Sequence, residues 1–234
     1  MKSGLIVALS YLLFITTIAA QKKEIVSSIL TQSQTDELFT QSVKEDYKIN
    51  LLIFKVYKIK YTTEVEYLVL CESQDEKNKK DSINKKIHAI VFKHGGNGLD
   101  RQWEMKDNII QSSTEETCIW FWTRYIDFQD FDQDGLVDYT IVYGTKGMNG
   151  YMDGRMKILM VNKLGEKVFI RHQNGVLDDE RITKIDQAFY ALPTIWQRAV
   201  QKRMQLIEKE DKVILAPEWQ KQMKQKQLIL KQRP

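Results

Sequence analysis

Between residues 50 and 172 the chain falls into short apolar runs with a period of two, separated by polar or glycine-rich breaks. In NLLIFKVYKIK (50–60), Ile53, Lys55, Tyr57 and Ile59 interleave with Leu52, Phe54, Val56 and Lys58. That alternation, rich in β-branched and aromatic side chains, predicts a strand. EVEYLVLCE (64–72) and IHAIVFK (87–93) predict a second and a third, CIWFWTRYID (118–127) a fourth and DYTIVYG (138–144) a fifth. Residues 155–162 and 167–172 flank LGE, a compact turn, and predict a sixth and seventh strand joined as a hairpin. The charged stretch 73–86 reads as a mobile hairpin tip, GGNGLD (95–100) as a turn-rich break and TKGMNGYMDG (145–154) as a glycine-rich loop.

From Ile182 the period changes. Ile185, Phe189, Leu192, Trp196, Ala199 or Val200, Arg203 or Met204, and Ile207 recur at helical spacing, and Pro193 is expected to kink or divide the helix. The Gln- and Lys-rich end reads as a last amphipathic helix or a frayed tail. Strands first and helices last predict an α+β fold: a mostly antiparallel twisted sheet of about seven strands followed by C-terminal helices. No repeat of fixed period accompanies this, so a full β-propeller is not expected. The expected organisation is a polar lead-in over 21–48, a β-rich domain over 49–180, and a helical segment over 181–234 packed on the sheet and ending in a basic tail.

The first residues carry a different pattern. Lys2 is the only charge before Lys22, and an apolar run from Leu5 to Ala20 ends in small residues. This predicts a secretory signal peptide over 1–20. An N-terminal anchor would need a longer and purer run, and Ser10, Thr16 and Thr17 dilute this one. The expected location is therefore periplasmic or extracellular, with no membrane span after cleavage. A formal charge of +4, spread along 234 residues without a basic stripe, argues against nucleic acid. Cys71 and Cys118 are the two cysteines. In an exported chain they could pair, or each could be a small buried apolar side chain.

The candidate chemistry is concentrated in DFDQDGLVD (130–138), which sets acids at Asp130, Asp132, Asp134 and Asp138 with Gly135 between. Counted from Asp130, carboxylates fall at positions one, three, five and nine and a glycine at six. Alternate side chains of a tight loop converge, position seven (Leu136) can offer its backbone carbonyl, and calcium asks for six to eight oxygens. An oxygen-only set disfavours zinc and copper. Position twelve is Ile141 rather than the glutamate an EF-hand needs, and a strand follows rather than a helix. The alternative is an acidic turn without metal.

This loop resembles those of FG-GAP and VCBS repeats, found in calcium-binding β-propeller blades. The resemblance implies Asp130, Asp132, Asp134 and Asp138 as side-chain ligands of calcium and Leu136 as a carbonyl ligand. A wider stretch includes DFDQDGLVDYTIVY, RMKILMVNKLGEKVFIR and the helix with FYALP and Trp196. It is similar to a family of exported Bacteroidetes proteins, some described as acting in surface polysaccharide biosynthesis. That likeness implies no reaction.

Other features bear less chemistry. Trp120 and Trp122 share one strand face and could stack on sugar or fill a core. His88, His94 and His172 are isolated in sequence, with no HxH or HExxH spacing. No nucleophile elbow, phosphate loop or dinucleotide fingerprint occurs. Tyr143, Met148, Asn149, Tyr151 and Arg155 lie in or beside the glycine-rich loop and form a candidate ligand surface. The expectation is an exported calcium-binding protein of the envelope or the medium, a binding or accessory module with a glycan or an envelope protein as partner. The alternatives are a polysaccharide-active enzyme with unassigned carboxylates and a purely structural envelope protein.

Overall fold

A computed structural model describes residues 25–77, 82–96, 98–110, 116–147, 154–175 and 177–232. The expected signal peptide lies outside them, as do the tip of the 73–86 hairpin and Met148, Asn149 and Tyr151.

The chain begins with β1 (Val26–Ile29) and two short helices, α1 (Gln32–Leu38) and α2 (Gln41–Asp46). Thr31 caps α1 through a reciprocal pair with Gln34, and Thr40 caps the start of α2 at Val43 N, so the segment forms two short helices rather than one. Next come β2 (Leu52–Tyr61), β3 (Glu64–Glu72), a small hairpin of β4 (Glu76–Lys77) and β5 (Ser82–Ile83), β6 (Lys86–Gly95) and β7 (Gly98–Asn108). The second half runs β8 (Glu116–Phe121), β9 (Asp127–Gln129), β10 (Asp138–Gly147), β11 (Arg155–Val161), β12 (Lys167–Gln173), β13 (Ile182–Ile185), α3 (Thr194–Lys209), α4 (Trp219–Lys224) and β14 (Ile229–Leu230).

The expected α+β class with antiparallel strands holds, but the strands divide between two sheets. One has the order β1-β2-β3-β6-β7; the other has β14-β13-β12-β11-β10-β8, with β9 also on β10. No propeller forms. Period two explains the layering. On β3, Tyr67, Val69 and Cys71 join Phe39 and Ile49 in a core beneath α1 and α2, while Leu68 and Leu70 face the second sheet. On β10, Tyr139, Ile141 and Tyr143 face the first sheet, while Val142 faces α3 with Trp196, Val200, Met204 and Ile207. The result is helices, sheet, sheet, helices, with three apolar seams.

The differences from the sequence pattern are local. β7 begins inside the expected break at 95–100 and runs on through residues given no element, because only Leu99, Trp103 and Met105 are buried along its eleven residues. It is an edge strand with a polar outer face. β8 stops at Phe121, after which Thr123–Tyr125 form a 3₁₀ turn. Ile182–Ile185 is a strand, paired with Ile170–Gln173 of β12, so the helical period begins later than expected. Pro193 does not kink a helix. It stands immediately before α3, where a missing N–H removes no internal bond. Among the described residues no helix is long and apolar enough to cross a membrane.

Candidate metal centre

The acidic loop joins β9 to β10, and the two strands pair directly, with Asp138 opposite Gln129 and Tyr139 opposite Phe128. Both ends of the loop are therefore held by a ladder. Gln133 and Gly135 have φ values of 63° and 84°, the left-handed conformations that fold the segment tightly. Phe131 points inward and stacks on Trp196 of α3, with ring centres 5.1 Å apart and planes 8° from parallel. Trp196 in turn donates its indole N–H to Thr140 Oγ1 at 3.0 Å. Loop, strand and helix thus meet at one packed point.

The backbone turns its donors onto the acids. Asp130 accepts from the N–H of Asp134 at 3.0 Å and of Gly135 at 2.9 Å, Asp132 from Asp134 at 3.2 Å, and Asp138 from Phe131 at 2.9 Å. Carboxylate oxygens of Asp130, Asp132 and Asp138 lie within 4.8 Å of one another. Asp138 is only 2% exposed. Burial, followed by repulsion from Asp132, Asp134 and Asp130 and only partly offset by the Phe131 N–H, pushes its carboxyl up to about 7. Burial also raises Asp132, with Asp134 and Asp130 adding to it. Burial is the larger cause at both carboxyls, and the neighbouring acids add to it.

Asp134 takes another course. One of its oxygens accepts from Leu136 N at 2.8 Å and the other pairs with Lys163, in the turn between β11 and β12. Burial pushes Asp134 up, but the Lys163 ammonium and the Leu136 N–H outweigh it and hold the carboxyl below its usual range. Of the five expected ligands, Asp130, Asp132 and Asp138 converge. Asp134 is turned toward Lys163, and the Leu136 side chain packs against the seam between the sheets. The three convergent side chains can hold a metal ion: they are hard oxygen donors whose backbone bonds leave further lone pairs. Nothing in the sequence marked Lys163, which lies 29 residues from Asp134.

The remaining candidates resolve into structure. Trp122 is buried and Trp120 packs partly buried beside it, with ring centres 6.0 Å apart against the α3 core. Tyr143 is buried between the sheets, and Arg155 is anchored to Glu116 at 2.5 Å, so neither forms an open ligand surface. Cys71 and Cys118 are not joined in a disulfide. Cys71 is fully buried, and burial pushes its thiol up to about 12. His88 contacts Glu104 at 2.8 Å, and His94 meets the Tyr67 ring edge-on. His172 sits between Thr183 Oγ1 at 2.8 Å and Asn174 Oδ1 at 3.1 Å. No family model, no curated protein and no solved structure matches this chain.

Proposed function

We propose that this protein is an exported binding or accessory module of the cell envelope or the medium, whose acidic loop takes calcium to fix the fold. The observation that carries the reading is the convergence of Asp130, Asp132 and Asp138 within 4.8 Å around a carboxylate buried in the protein. Export rests on the N-terminal pattern of residues 1–20. Asp130, Asp132 and Asp138 would hold the ion. Asp134 and the Leu136 carbonyl are the further oxygens that the loop spacing offers. The ion would neutralise the crowded charge and tie the β9–β10 connection to α3 through Phe131 and Trp196. Such a role is structural and calls for no catalytic group in the loop.

The test is thermal unfolding of the exported chain with calcium and with chelator. A ligand at a hundred times its dissociation constant stabilises by about 2.7 kcal/mol. In a chain of this size that raises the melting temperature by roughly 5–10 °C. An unchanged melting temperature across millimolar calcium would remove the metal from this reading.

A further inference from the structure

The fold gathers on one face a positive charge that the sequence spreads out. Between Thr194 and Lys231 there are nine lysines and arginines against four acids, a net +5 in a chain whose total is +4. The rest of the protein is therefore close to neutral. Three of those four acids are already engaged. Glu208 accepts from the Trp219 indole at 3.0 Å, Glu210 takes the Tyr125 hydroxyl at 2.5 Å and Arg124 at 2.8 Å, and Glu218 lies 3.3 Å from Lys221.

The helical period arranges the cations. Trp196, Val200, Met204 and Ile207 take the inner face of α3 and fill the core against the second sheet. The opposite face falls to Ile195, Arg198, Lys202, Gln205, Leu206 and Lys209, all of them exposed. That stripe contains no acid, and among the described residues no ion pair engages Arg198, Lys202 or Lys209. α4 extends the same surface: Trp219 and Met223 are buried in the shared core, while Lys221 and Lys224 are exposed. Ile195 and Leu206 are 53% and 39% exposed. They stand about 16 Å apart along the helix axis, at 1.5 Å per residue. Each has a cation three or four positions away on the same face, Arg198 for Ile195 and Lys202 and Lys209 for Leu206.

This pattern selects an occupant. Cations without internal partners call for an anionic surface. A protein partner would want a contiguous apolar centre, and here the two aliphatic side chains are separate. Sugars and nucleobases are gripped by aromatic faces, and the stripe has none. A lipid headgroup layer meets both features. Its phosphates take the ammonium and guanidinium groups, and single aliphatic side chains enter at the acyl boundary. We propose that the outer face of α3 docks this protein on an anionic lipid surface, as a peripheral contact. The inference goes beyond the metal reading and does not depend on it. The inner face of α3 meets the acidic loop through Trp196 and Phe131; the outer face meets the membrane.

Vesicle co-sedimentation of the exported chain, in chelator, tests this. The probes are vesicles of phosphatidylcholine alone and of phosphatidylcholine with about one-third phosphatidylglycerol. The expected result is binding to the anionic vesicles at least about tenfold tighter than to the neutral ones, weakening as salt screens the cations. Each cation near such a surface contributes about fivefold, so Arg198→Gln, Lys202→Gln and Lys209→Gln together should cost at least about tenfold. The charge-matched set Lys48→Gln, Lys60→Gln and Lys86→Gln, at exposed positions in the half of the chain that forms the first sheet, should cost less than about twofold. Ile195→Ser with Leu206→Ser should cost at least about threefold. Melting temperatures on the same samples establish that each variant is folded. No preference for the anionic vesicles overturns the proposal. Equal losses in the two lysine and arginine sets overturn it as well, since net charge alone would then account for the binding. Unchanged affinity in the serine variant would mean that the stripe holds a polyanion in solution rather than a membrane, and would also overturn it. Because binding is read in chelator, an empty metal site leaves each of these outcomes intact.

Discussion

Buried carboxylates occur in two settings here, and they are solved in opposite ways. Glu66 and Glu72 stand near the two ends of β3, on its face toward the second sheet. Each is met by donors from elsewhere in the fold: Glu66 by two tyrosine hydroxyls, Glu72 by Asn84 Nδ2 at 2.8 Å and Phe121 N at 3.2 Å. Asp138 is more deeply buried still but receives one backbone N–H, and the charges that act on it are those of Asp132, Asp134 and Asp130. The first setting is complete within the chain. The second has surplus negative charge, and an external cation is the simplest remedy. A buried acid is therefore a stability element where donors surround it and a candidate binding group where acids do.

Glu72→Leu tests the first half of that contrast and carries the largest expected effect. It strands two buried donors, Asn84 Nδ2 and Phe121 N. The second of these lies on the outer edge of β8, which Glu72 covers together with Asn84 O, the acceptor of Ile119 N at 2.8 Å. At about 1–3 kcal/mol for each stranded group, the loss should be about 4 kcal/mol. Urea unfolding measures it, and the loss should be the same with and without calcium.

A buried base offers a second comparison, slightly smaller. His172 is 1% exposed. Burial, partly countered by Asn174 and reinforced by Arg181, lowers its affinity for a proton from the ordinary 6.5 to about 4. The fold thus holds the neutral ring, with Nε2–H donating to Asn174 and Nδ1 accepting from Thr183. Because the folded value is depressed, the unfolded chain binds the proton first. The stabilisation from the neutral ring is present in full above pH 6.5 and is lost as pH falls toward 4. It amounts to at most about 3 kcal/mol. Unfolding measured at neutral pH and near pH 4.5 should show a steeper decline in the native chain than in His172→Gln. Equal slopes would mean that His172 is not held neutral.

Asp138→Asn tests the second half of the opening contrast, because its sign should depend on the ion. The amide keeps an oxygen for Phe131 N and removes a charge that Asp130, Asp132 and Asp134 oppose. In chelator the variant should gain about 1–2 kcal/mol of stability, since a like-charge cluster is relieved. In calcium it should lose the ion-dependent stabilisation. Destabilisation under both conditions would place Asp138 in the same class as Glu72.

How much of this was legible in the sequence follows from the range of the interactions. The strands buried on both faces, such as Glu64–Glu72 and the run from Asp138, were readable because each is a near-continuous apolar run rich in β-branched and aromatic side chains. β7 was not, since an edge strand needs few apolar residues, and its polar positions resemble a loop. The division into two sheets was also unreadable. Period two places side chains on opposite faces but does not say which strands share a ladder. In the loop, the spacing of Asp130, Asp132 and Asp138 foretold their convergence, because it is set by local backbone turns. The fate of Asp134 depended on Lys163, which a hairpin between β11 and β12 brings across from another part of the chain. No local pattern encodes that contact.

Lys163 also allows the finest test of the contrast, and the smallest in effect. It is the one ammonium that the fold brings into direct ion-pair contact with the acidic loop among the described residues, and it is about one-third exposed. Its pairing with Asp134 competes with any ion that needs the same oxygen. Lys163→Met should therefore leave the unfolding midpoint in chelator nearly unchanged, as exposed ion pairs contribute little. It should tighten calcium binding by about threefold at low salt, and by less as ionic strength rises and screens the lysine's field. Calcium titration by isothermal calorimetry at two salt concentrations measures both quantities. Weaker calcium binding in the variant would mean that Lys163 holds the loop in its binding shape. Unchanged affinity would mean that Asp134 stays outside the ion's ligand set, and that Asp130, Asp132 and Asp138 bind it without the fourth acid.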